Sequence, residues 1–412
     1  MVVQRFGAGA VGGAEWHCAE FVRCLAPHHD VTVLTSCARD ATTWAMDLEP
    51  GVHREEGVSV ERFAHPRRNF DHRARVPLRH RLRMWTRRLW DALRIPRVRV
   101  CSCDRPGDGE DFLEQQGPWC KDLLHELSDG ARDGPPRFDV VVFFTALYHP
   151  TAVGLLRWGR RSVLVPTLHD EKPMYLPWFH QVFAAAGLTL FNTRAEAELA
   201  RRLYGANVGK SRVVGAPVAV SEPGPAAILA ARARYALPER YLVYVGRIEK
   251  GKGCAQLLAA WEGVADAQPG TALVFIGKGT MPIAESVHTR CTGFVADAER
   301  DALVAGAAAL VMPSRLESLS LVLLEAMALA VPVIANARSD VLAAHVQDSQ
   351  GGLVYRGRHQ LRAALLHMLR LPDAQRRDLG QSGRRYVHEH YPPAVVHRAW
   401  LEAVEDAAGL SA

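Results

Sequence analysis

The sequence lacks the groupings that would make its cysteines or histidines metal ligands. Eight cysteines, at positions 18, 24, 37, 101, 103, 120, 254 and 291, include no C-x-x-C pair, and 18 histidines form no H-E-x-x-H motif. This argues against a structural zinc site, so no metal is expected, and the cysteines read as reduced, mostly buried thiols of a cytoplasmic protein. The start "MVVQRFGAGAVGGAEW" has no charged segment followed by an apolar block, so no secretory signal is expected. Long apolar runs are scarce as well. The longest lies in "SRLESLSLVLLEAMALAVPVIAN", residues 314–336, and Glu325, Pro332 and Asn336 interrupt it, which fits a core α/β unit better than a membrane span. What remains is 412 residues, 48% hydrophobic and 23% charged, enough for two globular domains with separate cores.

The net charge of +6 is unevenly spread. Between residues 67 and 99, twelve arginines face only Asp71 and Asp91, giving +10 and leaving the rest of the chain at −4. There "LRHRLRMWTRRLWDAL" sets Leu78, Leu82, Trp85, Leu89 and Leu93 on one helical stripe among arginines. Two readings stand for this basic amphipathic helix near residues 78–94: docking on an anionic lipid surface, or packing on its own domain with a solvated arginine face. Nucleic acid is not expected as a partner, because no recognition motif accompanies the charge.

Strands and helices alternate in two series. The first runs through "VVQRF", "DVTVLTS", "FDVVVFF", "SVLVPTLHD" and "LTLFNT"; after "AVSEPGPAA" the second runs through "YLVYVGR", "TALVFIGKG", "ALVMPS" and "PVIAN". The pattern predicts an α/β protein of two doubly wound, Rossmann-like sheets facing a cleft. The expected divisions are a domain over 1–218 with an arginine-rich insertion at about 66–136, a linker over 219–236, a second domain over 237–385, and terminal helices over 386–412.

In such sheets ligands lie at the carboxyl ends of the strands. "YVGRIEKGKG" puts Arg247 and Lys252 after a strand, among Gly246, Gly251 and Gly253; two cations on a permissive loop suit a diphosphate, or form a solvated basic loop. "FIGKG" sets Gly277 and Gly279 around Lys278. In the apolar run, a turn over Glu317, Ser318, Leu319 and Ser320 leads into a helix expected from Leu321 to Leu329, with Ser320 as N-cap and free N–H groups aimed at an anion. Glu325 falls mid-helix among apolar neighbours. An ionised carboxylate there costs several kcal/mol unless a polar group meets it, so it needs a protein donor or a ligand hydroxyl. "TLHDEKPMYLP" places His169, Asp170 and Glu171 at another strand end. Finally, "GAGAVG", Gly7 to Gly12, fits a dinucleotide fingerprint and raises an NADP-dependent oxidoreductase as a competing reading; the next strand, however, ends in Ser36 instead of an acid, and Gly12 and Gly13 equally form a nest for a phosphate or a sugar.

Taken together, "GGAE" at 12–15, "GRIEKGKG" at 246–253, "GFVAD" at 293–297 and Glu317 eight positions before Glu325 resemble the family 4 retaining glycosyltransferases of the GT-B fold. "VLTSCARDATTWA", "QQGPW", "FFTALYHPTA", "HDEKPMYLPWF" and "ESLSLVLLEA" are similar to a bacterial subgroup of that family. The resemblance implies transfer of a sugar from a nucleoside-diphosphate sugar to a hydroxyl acceptor such as a glycan, glycolipid or natural product, with no metal and no further cofactor. Arg247 and Lys252 would hold the diphosphate, Glu325 the ribose, Glu317 and the loop Ser318–Leu321 the sugar, and Phe294 and Val295 the base. Gly246 and Gly277 would admit the nucleotide, His169 would contact the donor sugar, and Gly12 and Gly13 would close over the phosphates. A lipid-linked acceptor would suit the basic stripe, with the protein at the inner face of the membrane, and the terminal helices would cross back to the first domain. Ser318, Ser320 and Ala330 depart from the family, which favours glycine there. A GT-B sugar-nucleotide epimerase is the alternative within the same fold.

Overall fold

The computed structural model describes residues 1–409 except 8, 10–11, 42, 66–84, 86–107 and 128–135. The basic stripe near 78–94 lies outside the described residues apart from Trp85, as does much of the insertion at 66–136. The chain divides into two compact units, one of Met1–Gly215 with His397–Ala412, the other of Ala216–Val396. No described helix is long and apolar enough to cross a membrane.

In the first unit the strands are β1 (Thr32–Ser36), β2 (Gly51–Glu55), β3 (Val58–Phe63), β4 (Val141–Phe144), β5 (Ser162–Val165), β6 (Leu188–Phe191) and β7 (Ser211–Val213). They pair in the orders β1-β3-β2 and β4-β5-β6-β7. The first residues of the chain join these two groups, because Val2 bridges both Leu34 and Phe143 in parallel. Expected as a strand, "VVQRF" is thus the centre of the sheet, although only Val2 is fully paired. All neighbours are parallel except β2 and β3. These two form a hairpin closed by Glu56 and Gly57, both at positive φ as a two-residue hairpin turn requires. The hairpin was not expected from sequence, because edge strand β2 is mostly exposed and "GVHRE" carries little apolar signal. β4, β5 and β6 are buried along their whole length, as strands covered on both faces must be.

The last helix, Pro393–Ala408, contributes Trp400 to this unit. Its ring stacks on Phe21 at 4.4 Å between centroids and on His17 at 5.1 Å, and its Nε1 donates to Gly215 O at 3.2 Å. Burial pushes the His17 pKa down to about 3, so the imidazole is a neutral aromatic partner.

The second unit holds β8 (Arg240–Val245), β9 (Thr271–Ile276), β10 (Thr289–Gly293), β11 (Ala309–Met312), β12 (Val333–Asn336) and β13 (Gly352–Tyr355). The order is β10-β9-β8-β11-β12-β13, and every pair is parallel. In chain order this is the 3-2-1-4-5-6 arrangement of a doubly wound sheet, whose direction of winding reverses between β8 and β11. The crevice at that reversal is where such sheets take ligands. Leu242, Tyr244, Leu257, Trp261, Phe275 and Ile334 form the centre of one core face. The stretch 219–236, read as a linker, includes the helix Pro225–Arg234, which packs on the helix Asp297–Ala305 through Arg234 and Tyr235 against Glu299. Its composition explains this: Pro225 at the first turn is followed by "AAILAARAR", a run of strong helix formers.

Trp400 is 1% exposed, so Trp400→Ala leaves a large cavity in the first unit. The expected loss is about 3–5 kcal/mol. A urea titration followed by far-UV circular dichroism should show a lower midpoint with an unchanged slope; an unchanged midpoint would mean the last helix is not anchored there.

Candidate functional site

The loops that follow β8, β9 and β11 lock backbone against backbone at the winding reversal. Gly246 N–H donates to Ile276 O at 3.0 Å, Ile248 N–H to Lys278 O at 3.0 Å, and Met281 N–H to Ile248 O at 3.1 Å. Tyr244 OH donates to Arg247 O at 2.7 Å. Side chains have no room here: a Cβ on Gly277 would lie 2.1 Å from Gly246 O, one on Gly279 2.0 Å from Ile248 O, and one on Gly253 2.6 Å from Pro313 O. The glycines expected to admit a ligand therefore admit neighbouring backbone first. Pro313 O accepts from Asn336 Nδ2 at 2.9 Å, which accounts for the polar residue that ends the apolar run.

On this platform stand the expected charges. Arg247 is 58% exposed and, among the described residues, has only a long contact to Glu249, at 3.6 Å. Lys252 Nζ lies 2.8 Å from Glu317 Oε1, linking the loop after β8 to the loop after β11. Glu325, in the helix Leu321–Ala328, is half-buried. Its nearest cation is Arg300 at 3.9 Å, a residue the sequence reading missed, and Arg300 is itself committed to Asp301 at 2.8 Å and Asp297 at 2.9 Å. Burial, reinforced by Asp301 and Asp297, holds the Glu325 carboxyl above the usual carboxylate range, with Arg300 opposing. Among the described residues the Glu325 carboxylate has an ion-pair neighbour and no hydrogen bond, which leaves it open to a ligand donor. Phe294 and Val295 follow β10, whose last residue Gly293 accepts from Gly277 N–H at 2.9 Å; the Phe294 ring is 66% exposed.

The loop Glu317–Ser320 is shaped from behind. His345, fully buried, donates through Nε2 to Leu319 O at 2.9 Å and accepts at Nδ1 from Tyr386 OH at 3.0 Å. That tautomer is fixed because a carbonyl can only accept. Burial pushes the His345 pKa down to about 4, in keeping with a neutral ring. It also was missed, although it lies on the apolar face Val341, Leu342, Val346 of the helix Asp340–Ser349, where a polar residue is conspicuous. Ser320 adopts φ 68 at the start of its helix, and its buried Oγ has no hydrogen-bond partner among the described residues. It occupies the N-cap position as expected, and its carbonyl accepts from Leu323 and Leu324 N–H, but its side chain makes no cap hydrogen bond. Leu321 begins the helix as expected, and its first turn leaves backbone N–H groups without intrahelical acceptors. The structure thus joins Gly246, Arg247, Lys252 and Gly277 to Glu317 at the strand ends, and Ser318, Leu319 and Ser320 run on from Glu317 to Leu321, one helical turn before Glu325.

Gly12, Gly13 and His169 belong to the first unit. Gly12 precedes the helix Gly13–Leu25, and a Cβ on it would lie 2.1 Å from Glu15 Oε2. Glu15 is buried and accepts from Arg5 at 2.6 Å and Gln4 at 2.9 Å, a network that explains why "GGAE" needs both its first glycine and its acid. Ser36, the residue where a dinucleotide site would place an acid, donates instead to Gln4 O at 2.6 Å. His169 Nδ1 lies 3.5 Å from Glu171. The preceding residue, Leu168, donates its N–H to buried Glu196 Oε1 at 2.5 Å, while Oε2 accepts from Asn192 N–H at 2.5 Å. Burial pushes the Glu196 pKa up to about 8, against three backbone donors that favour its ionised form. The capping spacing "TRAE" at 193–196, in which Thr193 accepts from Glu196 N–H at 3.1 Å, was a readable signal for it.

At the other end of the helix Leu321–Ala328, Ala330 sits at φ 57, with its N–H on Met327 O at 2.9 Å and Val331 N–H on Ala326 O at 2.9 Å. This is the terminal motif that prefers glycine at the left-handed position. Relief of about 1–2 kcal/mol of strain, less about 0.4–1 kcal/mol of added unfolded-state freedom, leaves Ala330→Gly more stable by roughly 0.5–1 kcal/mol. Chemical denaturation checks this, and a destabilised variant would show that the methyl group is packed to advantage.

Residues 239–370 match the family described as Glycosyl transferases group 1. Among curated relatives, the D-inositol 3-phosphate glycosyltransferase of Segniliparus rotundus is 32% identical over 191 residues, 42% of this chain and 42% of that protein. The GDP-mannose-dependent alpha-(1-6)-phosphatidylinositol monomannoside mannosyltransferase of Mycobacterium tuberculosis is 35% identical over 185 residues, 40% of this chain and 47% of that one. The matched region thus spans less than half the length of either relative. Among solved structures, sucrose-phosphate synthase from Thermosynechococcus elongatus superposes with TM-score 0.67 at 17% identity over 100% of both chains. Anabaena HepE in complex with UDP-glucose superposes with TM-score 0.65 at 15% identity over 98% of both chains. The chain has the GT-B fold, and residues 239–370 within it match the group 1 glycosyl transferase family.

Proposed function

We propose that this protein transfers a sugar from a nucleoside-diphosphate sugar to a hydroxyl acceptor, with retention at the anomeric carbon and without a metal ion. The carrying observation is the Lys252–Glu317 ion pair at the winding reversal, which joins the loop after β8, where Arg247 is exposed, to the loop that leads into the helix of Glu325. As the glycosidic bond breaks, negative charge grows on the leaving diphosphate and positive charge on the sugar ring. Arg247 and Lys252 answer the first and Glu317 the second, so the site is complementary to the transition state more than to the intact donor. Glu325 accepts from the ribose hydroxyls, Phe294 and Val295 offer backbone groups to the base, and the N–H groups at the start of the helix Leu321–Ala328 face the donor.

The names of the two curated relatives both point to inositol-bearing acceptors, one of them a lipid. They support a polyol hydroxyl, free or lipid-linked, as the acceptor class here, and the arginine-rich stripe near 78–94 would suit the lipid-linked form at the inner membrane face.

Thermal shifts in EDTA against UDP, GDP, CDP, ADP, dTDP and NADPH test this reading. One nucleoside diphosphate should raise the melting temperature without metal; a ligand at a hundred times its dissociation constant adds about 2.7 kcal/mol. Stabilisation by NADPH alone would move the site to "GAGAVG" and overturn the proposal. With the matching sugar nucleotide, Lys252→Ala is expected to lower turnover about a hundred- to a thousand-fold, and turnover within a few-fold of wild type would remove Lys252 from the chemistry.

A further inference from the structure

Lys252 and Glu317 are both assigned to the donor, yet they are already bound to each other, with Nζ 2.8 Å from Oε1. The pair is not a solvated surface contact: 29% of the Lys252 side chain and 14% of the Glu317 side chain remain exposed. Neither backbone is free to withdraw. Gly253, beside Lys252, is wedged against Pro313 O, and Leu319, two residues after Glu317, is held by buried His345. Any rearrangement is therefore a swing of two side chains.

A phosphate arriving at Lys252 brings negative charge next to Glu317. Whether Nζ is shared or handed over, the carboxylate loses compensation and faces the phosphate, a like-charge contact in a partly desolvated place. A bare nucleoside diphosphate offers Glu317 nothing in return. A sugar on the diphosphate does, because its hydroxyls can donate to the carboxylate. We propose that the Lys252–Glu317 pair is a specificity device that sets the site against nucleoside diphosphates lacking a sugar, so that the intact donor is retained in preference to the nucleotide product. The inference rests on the function proposed above and adds to it a discrimination between donor and product.

The test is calorimetric titration of UDP, GDP and ADP, and of UDP-glucose, GDP-mannose and ADP-glucose, into wild type, Glu317→Gln, Lys252→Met and the double variant. In Glu317→Gln the preferred nucleoside diphosphate should bind about fivefold more tightly, the top of the range for ion pairs that keep some contact with solvent, while the sugar nucleotide gains nothing. The gain should vanish when Lys252 is methionine and shrink at about 0.5 M salt, where screening acts over a few ångströms. If wild type binds a nucleoside diphosphate and Glu317→Gln binds it equally or less tightly, Glu317 merely positions Lys252 and the inference fails while the function stands. If wild type binds none of the six ligands, the function itself fails and the inference with it.

Discussion

Everything at the candidate site depends on the close approach of three strand-end loops. Gly277 and Gly279 admit the carbonyls of Gly246 and Ile248, and Gly253 admits that of Pro313, at separations no side chain tolerates. Because these contacts are backbone to backbone, the sheet sets where Arg247 and Lys252 are rooted, and the Lys252–Glu317 ion pair holds two of the charges together across the loops. Preorganisation of this kind is what electrostatic catalysis requires: charges that need not be gathered at the moment of reaction.

The electrostatics around this platform divide into held and open groups. Arg300 is held by two aspartates, and Lys252 and Glu317 hold each other. Arg247 is largely open to solvent, and Glu325 lies next to a cation already engaged elsewhere. Under the proposed function these open groups, a cation and a carboxylate, would meet the phosphate and the ribose hydroxyls of the nucleotide. Neutral His345 contributes no charge and fixes the loop between them, so its low pKa belongs to scaffolding and not to acid–base chemistry.

Much of this was legible in the sequence because apolar strands and glycine-bearing turns are local signals. The helix expected from Leu321 to Leu329 runs from Leu321 to Ala328, and the strands after "YLVYV", "TALVFI" and "ALVM" end where the motifs begin. What could not be read has a common cause. β2, β10 and β13 are short or partly exposed edge strands, so their residues carry little alternation, and the helix Pro225–Arg234 hid behind flanking Pro and Gly. At the site, Arg300 reaches Glu325 and His345 reaches Leu319 across contacts distant in sequence, so their place at the site is not announced by spacing. The departures at Ser320 and Ala330 were visible as residue types; that both stand at positive φ, where glycine is usual, needed the backbone.

A crystal structure with the nucleoside diphosphate that stabilises the protein most is the most direct test of the claim that the winding reversal of the second unit is the donor site. The diphosphate should lie between Arg247 and Lys252, with the ribose hydroxyls on Glu325. A nucleotide seated instead on the glycine turn of residues 7–13, with the crevice at Arg247 unaltered, would contradict it.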